Sequence, residues 1–262
     1  MIDFKYLESN LDELNSSFGS AFPFEHVVID NFCFPEKMRS ACDAIRGSQN
    51  ISKNKSKDYI FAKNKFEKAN FDSIHPGFKM LKEELLSDRF SDWVSKLTNE
   101  DIFIDPDFHG GGLHQGGKGS FLDMHADFNY HPEKLNWFRN INILIYLNEN
   151  WMQSYGGSLK LRDGREKDSE TITIEPIFNR AVIMFTRGHT LHGYDPISFP
   201  DNTFRTSIAA YGYTLQKNKG SLRTTTWFPE RGGKLKSFLG KHTPKLVALK
   251  TRLFGSGTSR NK

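Results

Sequence analysis

The stretch Phe121-Leu-Asp-Met-His-Ala-Asp-Phe-Asn-Tyr130 decides how the rest of the sequence is interpreted. It is rich in residues that favour strands, and it places His125 and Asp127 two positions apart. Successive side chains of a strand point to opposite faces, so these two side chains share one face. An imidazole beside a carboxylate supplies two thirds of the facial triad of two histidines and one carboxylate that binds Fe(II). The chain must then provide a second histidine further downstream.

His192 is the leading candidate for that second histidine. The run from Arg180 to Pro196 predicts a strand, a turn at Gly188 and a short second strand that ends in His192 and a glycine. A glycine at that point lets the backbone turn away beside a metal, whereas His189 directly follows the predicted turn. His189 remains the competing candidate.

A candidate receptor for a carboxylate comes next in the chain. Arg205 and Ser207 lie two residues apart in a predicted strand, so their side chains share a face. The guanidinium group is a planar fork of donors that stays charged at any working pH. Tyr146, in the predicted strand 141–147, could add a third donor. Taken singly, Arg205 suits a surface ion pair and Tyr146 suits a core; together with the triad they predict a dicarboxylate site.

The composition indicates a globular protein with an aromatic-rich interior. The 262 residues are 37% hydrophobic and include 23 Phe, a size that a single β-sandwich or barrel can reach. The sequence has no apolar run of membrane-spanning length. Its first residues lack a basic stretch followed by an apolar one, so we expect no signal peptide and a cytoplasmic location. Cys33 and Cys42 are predicted to be small buried residues, not a disulfide or a catalytic pair.

The net charge of +5 conceals a strongly basic end. From Lys217 to Lys262 there are 12 Lys and Arg residues against one acidic residue, Glu230. Such a tail could contact an anionic partner, although a solvated surface is the simpler interpretation. We do not expect the protein to bind nucleic acid.

The pattern of residues divides one domain, 1–262, into three parts. Residues 1–100 carry apolar positions at helical spacing and predict an N-terminal helical buttress, interrupted at 47–76 by a polar, lysine-rich lid or surface excursion. Residues 101–215 show short β-rich runs separated by Gly, Pro, Asn and Asp, which is typical of an antiparallel sandwich or barrel. Residues 216–262 form a basic C-terminal extension, with an amphipathic stretch after Pro244.

These motifs resemble those of the Fe(II)/2-oxoglutarate-dependent dioxygenases. His125-Ala-Asp127, His192 and Arg205-Thr-Ser207 resemble the iron and 2-oxoglutarate motif of that superfamily. The likeness is greatest to the prolyl 4-hydroxylase branch, including its bacterial members, and it covers about residues 105–215. Four runs carry it: Tyr146–Trp151, Gly156–Leu161, Phe178–Phe185 and His192–Pro196. Many collagen-type members have Lys where this chain has Arg205, which places the chain nearer the bacterial and oxygen-sensing members.

The resemblance implies a fold, a set of ligands and a reaction. The fold would be mainly β with flanking helices: a double-stranded β-helix (jelly roll, cupin-like) buttressed by the N-terminal α-helices. His125, Asp127 and His192 would bind Fe(II), and Arg205 would pair with the distal carboxylate of 2-oxoglutarate, helped by Tyr146 and Ser207. Dioxygen is the other co-substrate, with ascorbate as a possible reductant. The single catalytic domain would then hydroxylate an unactivated C–H bond and release succinate and CO2. An intact Asp127 argues for hydroxylation over halogenation.

Predictions about the substrate depend on the segments around the iron strand. The glycine-rich residues 109–120 predict a loop that approaches the site, in which Gln115 and His114 could contact co-substrate or substrate. The segment after Asp127 is expected to form a loop at the rim of the mouth, with four candidate substrate residues: Asn129, Tyr130, Trp137 and Arg139. The leading substrate is a prolyl residue or proline-like molecule, either a small molecule or a peptide. A sugar, a lipid-linked glycan or another metabolite is the alternative.

Two other classes of protein compete with an oxygenase. A metal cupin such as a zinc or manganese isomerase would have no need of the pair Arg205 and Ser207. A non-enzymatic jelly-roll binding module would bind neither metal nor 2-oxoglutarate.

Overall fold

The computed structural model describes residues 1–46, 58, 60–166, 168–201 and 203–240. Within these ranges an 11-stranded, antiparallel and curled sheet carries helices against one side. The order along its main path is β1-β8-β5-β10-β4-β9-β6-β7, with β2 and β11 paired to β4 and β3 paired to β10. The strands are β1 His26–Ile29, β2 Ala62–Lys68, β3 Phe103–Ile104, β4 Gly112–Ala126, β5 Trp137–Tyr146, β6 Leu159–Asp163, β7 Thr171–Ile174, β8 Ala181–Phe185, β9 Thr190–Tyr194, β10 Arg205–Leu215 and β11 Thr226–Trp227. This is the predicted double-stranded β-helix.

The helices lie where the apolar spacing predicted them, in the first hundred residues. They are α1 Phe4–Ser9, α2 Leu11–Ser20, α3 Pro35–Arg46, α4 Pro76–Leu85 and α5 Asp88–Thr98. The region 76–99 is two helices, because the Ser87 hydroxyl accepts a hydrogen bond from the amide of Phe90 and begins a new helix there. Asn99, with φ of 55°, ends it.

The helices and the sheet bury one large apolar core between them. Phe71, Phe78 and Phe90 are fully buried in it, together with the isoleucines of β5. Cys33 and Cys42 are buried and form no disulfide with each other, which confirms the prediction that both are small buried residues. None of the helices in the described ranges is long and apolar enough to cross a bilayer.

The predicted surface excursion at 47–76 is wrong for part of its length. Residues 47–57 and 59 lie outside the described residues, but Ala62–Lys68 forms β2, which pairs antiparallel with β4. Phe66 is buried in the core and packs edge-on against Phe204. Alternating burial of Ala62 and Phe66 among lysines was a weak strand signal, which the lysine content of the segment obscured.

The predicted glycine-rich loop before the iron strand is also wrong, because residues 112–126 are one continuous strand, β4. Its glycines allow close packing. A Cβ on Gly116 would lie 2.7 Å from the Ser120 hydroxyl oxygen and 3.3 Å from that of Tyr194. Glycine inside a strand often marks such an approach.

At the other end of the chain, residues 233–240 are helical and the amphipathic stretch after Pro244 lies outside the described residues.

Candidate active site

His125 and His192 face each other across neighbouring strands. A bulge in β4 between Leu122 and His125 shifts the register, so that His125 pairs directly with His192 of β9 and their ring centroids are 4.2 Å apart. Asp127 follows the end of β4 and completes the group: its Oδ1 is 3.5 Å from His125 Nε2 and its Oδ2 is 3.4 Å from His192 Nε2. Among the described residues this is the one cluster whose ligand atoms could hold a metal ion, all within 4.8 Å of one another.

His189, the competing candidate, lies at the turn before β9 and does not line the site. Gly193 has a different purpose from the one that the sequence suggested. It lies inside β9, where a Cβ would come within 2.6 Å of the Leu122 carbonyl oxygen and 3.0 Å of the Asp123 backbone. The glycine therefore permits β9 to lie close against the bulge of β4.

The ring orientation of His125 is fixed by two contacts. Its Nδ1 is 2.9 Å from the Asp123 carbonyl oxygen, so Nδ1 carries the proton and Nε2 keeps its lone pair towards Asp127. On one side the indole of Trp227 stacks on the imidazole with centroids 4.8 Å apart, and Phe61 stacks on the indole in turn. Trp227 belongs to β11, which pairs with the end of β4.

The electrostatic environment favours the protonation states that a cation needs. Burial lowers the pKa of His192 to about 3, with the neighbouring His125 acting in the same direction. Burial alone would raise the pKa of the Asp127 carboxyl, but the charge of Arg139, followed by interactions with the neighbouring imidazoles, outweighs burial and holds that pKa well below its usual range. At neutral pH, His192 is therefore uncharged and Asp127 is ionised, as metal ligands must be.

Arg139 lies beneath Asp127, not at the rim of the mouth. The predicted loop is the beginning of β5, and Arg139 is only 2% exposed. Its Nη2 donates to Asp127 Oδ2 at 3.0 Å. Asn142, on the same strand, donates to the same oxygen at 2.7 Å. Asn142 was not among the predicted site residues, although a polar residue inside the apolar run 141–147 was a signal that could have found it.

Arg205 lines the same cavity as the triad. Its Nε donates to the Gly157 carbonyl oxygen at 2.6 Å, and its Nη2 donates to the Tyr146 hydroxyl at 3.2 Å. The guanidinium group also lies 4.3 Å from the ring centroid of Tyr194. Arg205 is 8% exposed, and no carboxylate of the described residues forms an ion pair with it. A buried cation without an anionic partner is energetically costly, so this position favours the binding of an acidic ligand.

The remaining predicted co-substrate residues lie near Arg205. Ser207 is buried and pairs across the sheet with both His114 and Tyr146. Gln115 is buried, and its Nε2 donates to the Thr206 hydroxyl at 3.2 Å. Ser207 and Gln115 line the cavity, whereas Tyr146 stands behind Arg205.

Three of the four candidate substrate residues lie away from the cavity. Asn129 pairs with the backbone of Arg223, which fastens the C-terminal segment to the loop after Asp127. Tyr130 packs edge-on against Phe138, and Trp137 packs against Phe103. The cavity itself has a volume of about 1040 Å³, including space open to solvent. Its lining includes Phe128 and Thr225, together with three residues that the sequence did not single out: Lys65, Glu67 and Tyr211.

Residues 111–213 match the model of the 2OG-Fe(II) oxygenase superfamily. Two imidazoles, one carboxylate and a buried arginine fit the iron and 2-oxoglutarate that this superfamily uses. The matched segment carries the sequence pattern of a 2OG-Fe(II) oxygenase, and it contains the triad and Arg205. Fe(II), 2-oxoglutarate and dioxygen are the cofactor and co-substrates of that superfamily, and the fold of the chain resembles that of the prolyl 4-hydroxylases.

Several known structures share the fold of this oxygenase at low sequence identity. A prolyl hydroxylase from Trichoplax adhaerens, in complex with a peptide fragment of the hypoxia inducible factor oxygen degradation domain, has a TM-score of 0.58 and 16% identity over 80% of this chain and 91% of its own. A Pseudomonas putida prolyl-4-hydroxylase has a TM-score of 0.53 and 14% identity over 79% of this chain and 100% of its own.

A third structure shows that the fold is not limited to prolyl hydroxylases. The epimerase SnoN, in complex with Fe3+, alpha ketoglutarate and nogalamycin RO, has a TM-score of 0.53 and 10% identity over 87% of this chain and 93% of its own. No curated protein sequence is significantly similar to this chain. The comparisons therefore give the class of enzyme and leave the substrate to be argued from the site.

Proposed function

We propose that this oxygenase hydroxylates an unactivated C–H bond and converts 2-oxoglutarate into succinate and CO2. The leading substrate is a prolyl residue or a proline-like small molecule. The proposal is carried by one observation: Arg205 is a buried, rigidly held cation that lacks an anionic partner among the described residues, in the same cavity as the triad. A dicarboxylate with a 2-oxoacid end would satisfy Arg205 at one end and reach the metal ligands at the other.

In this proposal each side chain has a defined task. His125, Asp127 and His192 hold Fe(II), which when bound couples the decarboxylation of 2-oxoglutarate to oxidation of the substrate. Arg205 binds the distal carboxylate, and Tyr146 fixes the guanidinium group from behind. The Asp123 carbonyl holds the proton on Nδ1 of His125. Trp227 and Phe61 cover the outer side of His125 and keep water from that ligand.

The assignment of substrate class rests on a narrower basis. The prolyl hydroxylases named above support a prolyl substrate only through a shared fold. Tyr211 and Phe128, whose rings both lie against the buried Arg139 guanidinium group, form an aromatic wall of the cavity. A compact ring such as a pyrrolidine can pack against such a wall, and so can a sugar or another metabolite. An epimerase reaction, as in SnoN, would use the same cofactors.

The experiment is a turnover screen under isotopically labelled dioxygen. Purified protein with Fe(II) and 2-oxoglutarate is offered prolyl peptides, free proline, sugars and glycans, and both succinate and product mass are measured. The proposal predicts substrate-dependent succinate and a product that gains one labelled oxygen atom. A product of unchanged mass but inverted configuration would replace hydroxylation by epimerisation. Succinate that responds to sugars and not to prolyl compounds would overturn the prolyl assignment alone.

A further inference from the structure

Asp127 accepts two side-chain hydrogen bonds, and both of them go to the same carboxylate oxygen. An ionised carboxylate oxygen has room for about two hydrogen bonds. Oδ2 already accepts one from Arg139 Nη2 at 3.0 Å and one from Asn142 Nδ2 at 2.7 Å. Oδ1 faces His125 Nε2 at 3.5 Å, whereas Oδ2, which accepts both hydrogen bonds, also lies 3.4 Å from His192 Nε2. Oδ2 is therefore saturated by its two donors, whereas Oδ1 keeps its lone pairs for a cation.

The two donors are themselves fixed by each other. Arg139 donates through Nε at 3.1 Å and through Nη2 at 2.6 Å to the Asn142 side-chain oxygen. This contact sets the orientation of the Asn142 amide, because the reverse orientation would turn its NH2 group against the guanidinium group. The amide nitrogen must then point at Asp127. Both side chains are 2% exposed, so water cannot replace either hydrogen bond.

The position of the guanidinium group is further defined by two aromatic rings. It lies 3.6 Å from the ring centroid of Tyr211 and 4.3 Å from that of Phe128. Arginine stacks on aromatic faces and holds its plane there, which a lysine in the same place could not do. Arg139 is therefore a rigid donor in a fixed plane.

A β-bulge brings Arg139 and Asn142 to the same side of the sheet. Residues three apart on a regular strand point to opposite faces. Here Tyr213 pairs with Arg139, and Gly212 pairs with Ile141, so Asn140 is an extra residue in β5. Asn142 pairs with Tyr211, which shares a face with Tyr213, and Asn142 and Arg139 thus share that face too. Bulges next to active sites commonly redirect a side chain in this way.

From these contacts we infer that Arg139 and Asn142 are positioning residues that make Asp127 a one-oxygen metal ligand, with Oδ1 directed at the ion. The inference rests on the proposed function, since it concerns the same triad. The partners of a ligating carboxylate orient it, and their loss typically lowers metal affinity by roughly 10- to 100-fold. Neither residue needs to contact the metal, the co-substrate or the substrate for this purpose.

The test measures metal binding without turnover, with Co(II) in place of Fe(II) and no 2-oxoglutarate. Asn142→Leu keeps the volume and removes the donor, and Arg139→Lys keeps the charge and removes the fork. We expect each to raise the Kd for Co(II) by roughly 10- to 100-fold. Two matched controls should bind Co(II) as the wild type does: Asn140→Leu, a buried neighbour that does not contact Asp127, and Arg187→Lys, a half-buried arginine bonded to the Asn140 carbonyl. Wild-type affinity in both test variants would overturn the inference.

A second arm tests the contact between Arg139 and the carboxylate by rescue of Co(II) binding, not by loss of it. In Asp127→Gly the two donors would remain and point at the vacated position. Added formate should then restore Co(II) binding in Asp127→Gly, and should not restore it in Asp127→Gly combined with Arg139→Lys. Equal rescue in both proteins would show that Arg139 does not hold the carboxylate. The triad is tested separately: if His125→Ala left Co(II) binding unchanged, the proposed metal site would fail, whatever the role of Arg139.

Discussion

At the scale of single residues, the proposed function makes co-substrate binding depend on Arg205. It is buried, and two hydrogen bonds and a stacked ring fix it before any ligand arrives. A side chain that is already fixed in this way loses little conformational entropy when a ligand binds. Little of the favourable interaction with the ligand is therefore offset. Tyr146 contributes by holding the guanidinium group through its hydroxyl.

Replacing Arg205 by Gln should weaken 2-oxoglutarate binding by roughly 100-fold or more, because the ligand carboxylate would be buried without its cation. Equilibrium binding to the Fe(II)-loaded protein under anaerobic conditions measures the effect. Arg187→Gln is the matched control, since Arg187 is half-buried and does not line the cavity. An unchanged Kd in Arg205→Gln would remove the dicarboxylate site from the account.

The protonation of His114 makes the unfolding free energy of the protein depend on pH. Burial lowers the pKa of His114 to about 4, from an ordinary 6.5, and its Nε2 has no hydrogen-bond partner. The unfolded chain therefore takes up this proton more readily, and stability falls as pH decreases from about 6.5 towards 4. Between pH 7 and pH 5 the wild type should lose about 2 kcal/mol of unfolding free energy through this residue.

His114→Gln cannot take up that proton and should show a shallower dependence by the same amount. Urea unfolding of both proteins at the two pH values provides the comparison. If the two proteins lose stability in parallel, the buried neutral histidine is not responsible for the acid sensitivity.

At the scale of elements, two bulges determine the site, and the sequence predicts neither. A period of two correctly placed Arg205 and Ser207 on one face, and it brought His125 and Asp127 together in the prediction although Asp127 lies just beyond the strand. The bulge in β4 sets His125 opposite His192, and the bulge in β5 turns Arg139 under Asp127. A bulge adds one residue without a distinctive composition, so a pattern based on strict alternation misses it.

Gly193 provides a test of how closely β9 must lie against β4. Gly193→Ala would place a Cβ 2.6 Å from the Leu122 carbonyl oxygen, which is backbone and cannot rotate away. We expect a loss of about 1–3 kcal/mol in unfolding free energy and weaker Co(II) binding, because His192 moves with its strand. Gly19→Ala, in helix α2 with nothing within 4 Å of the added Cβ, is the control and should be neutral or slightly stabilising. Equal stability of the two variants would contradict this packing.

At the scale of the whole molecule, the sequence predicted the architecture well because its signals are redundant. Helical spacing repeats over several turns in the first hundred residues, and turn residues punctuate the strands after them. The pairing of strands that are far apart in the chain was not predicted. The strands β2 and β11 come from segments predicted as a lid and as a tail, and each pairs with β4 far away in the chain. Neither segment alone specifies that partner, so Trp227 beside His125 could not be placed from sequence.

In the proposed site one cavity holds Fe(II) on His125, Asp127 and His192 and 2-oxoglutarate on Arg205. The most direct test of this site is anaerobic addition of Fe(II) and then 2-oxoglutarate, followed by visible absorption. We expect a weak metal-to-ligand charge-transfer band that needs both additions, saturates at one equivalent of each, and is absent from Asp127→Ala. A folded wild-type protein that develops no such band, or an Asp127→Ala variant that develops the same one, would contradict it.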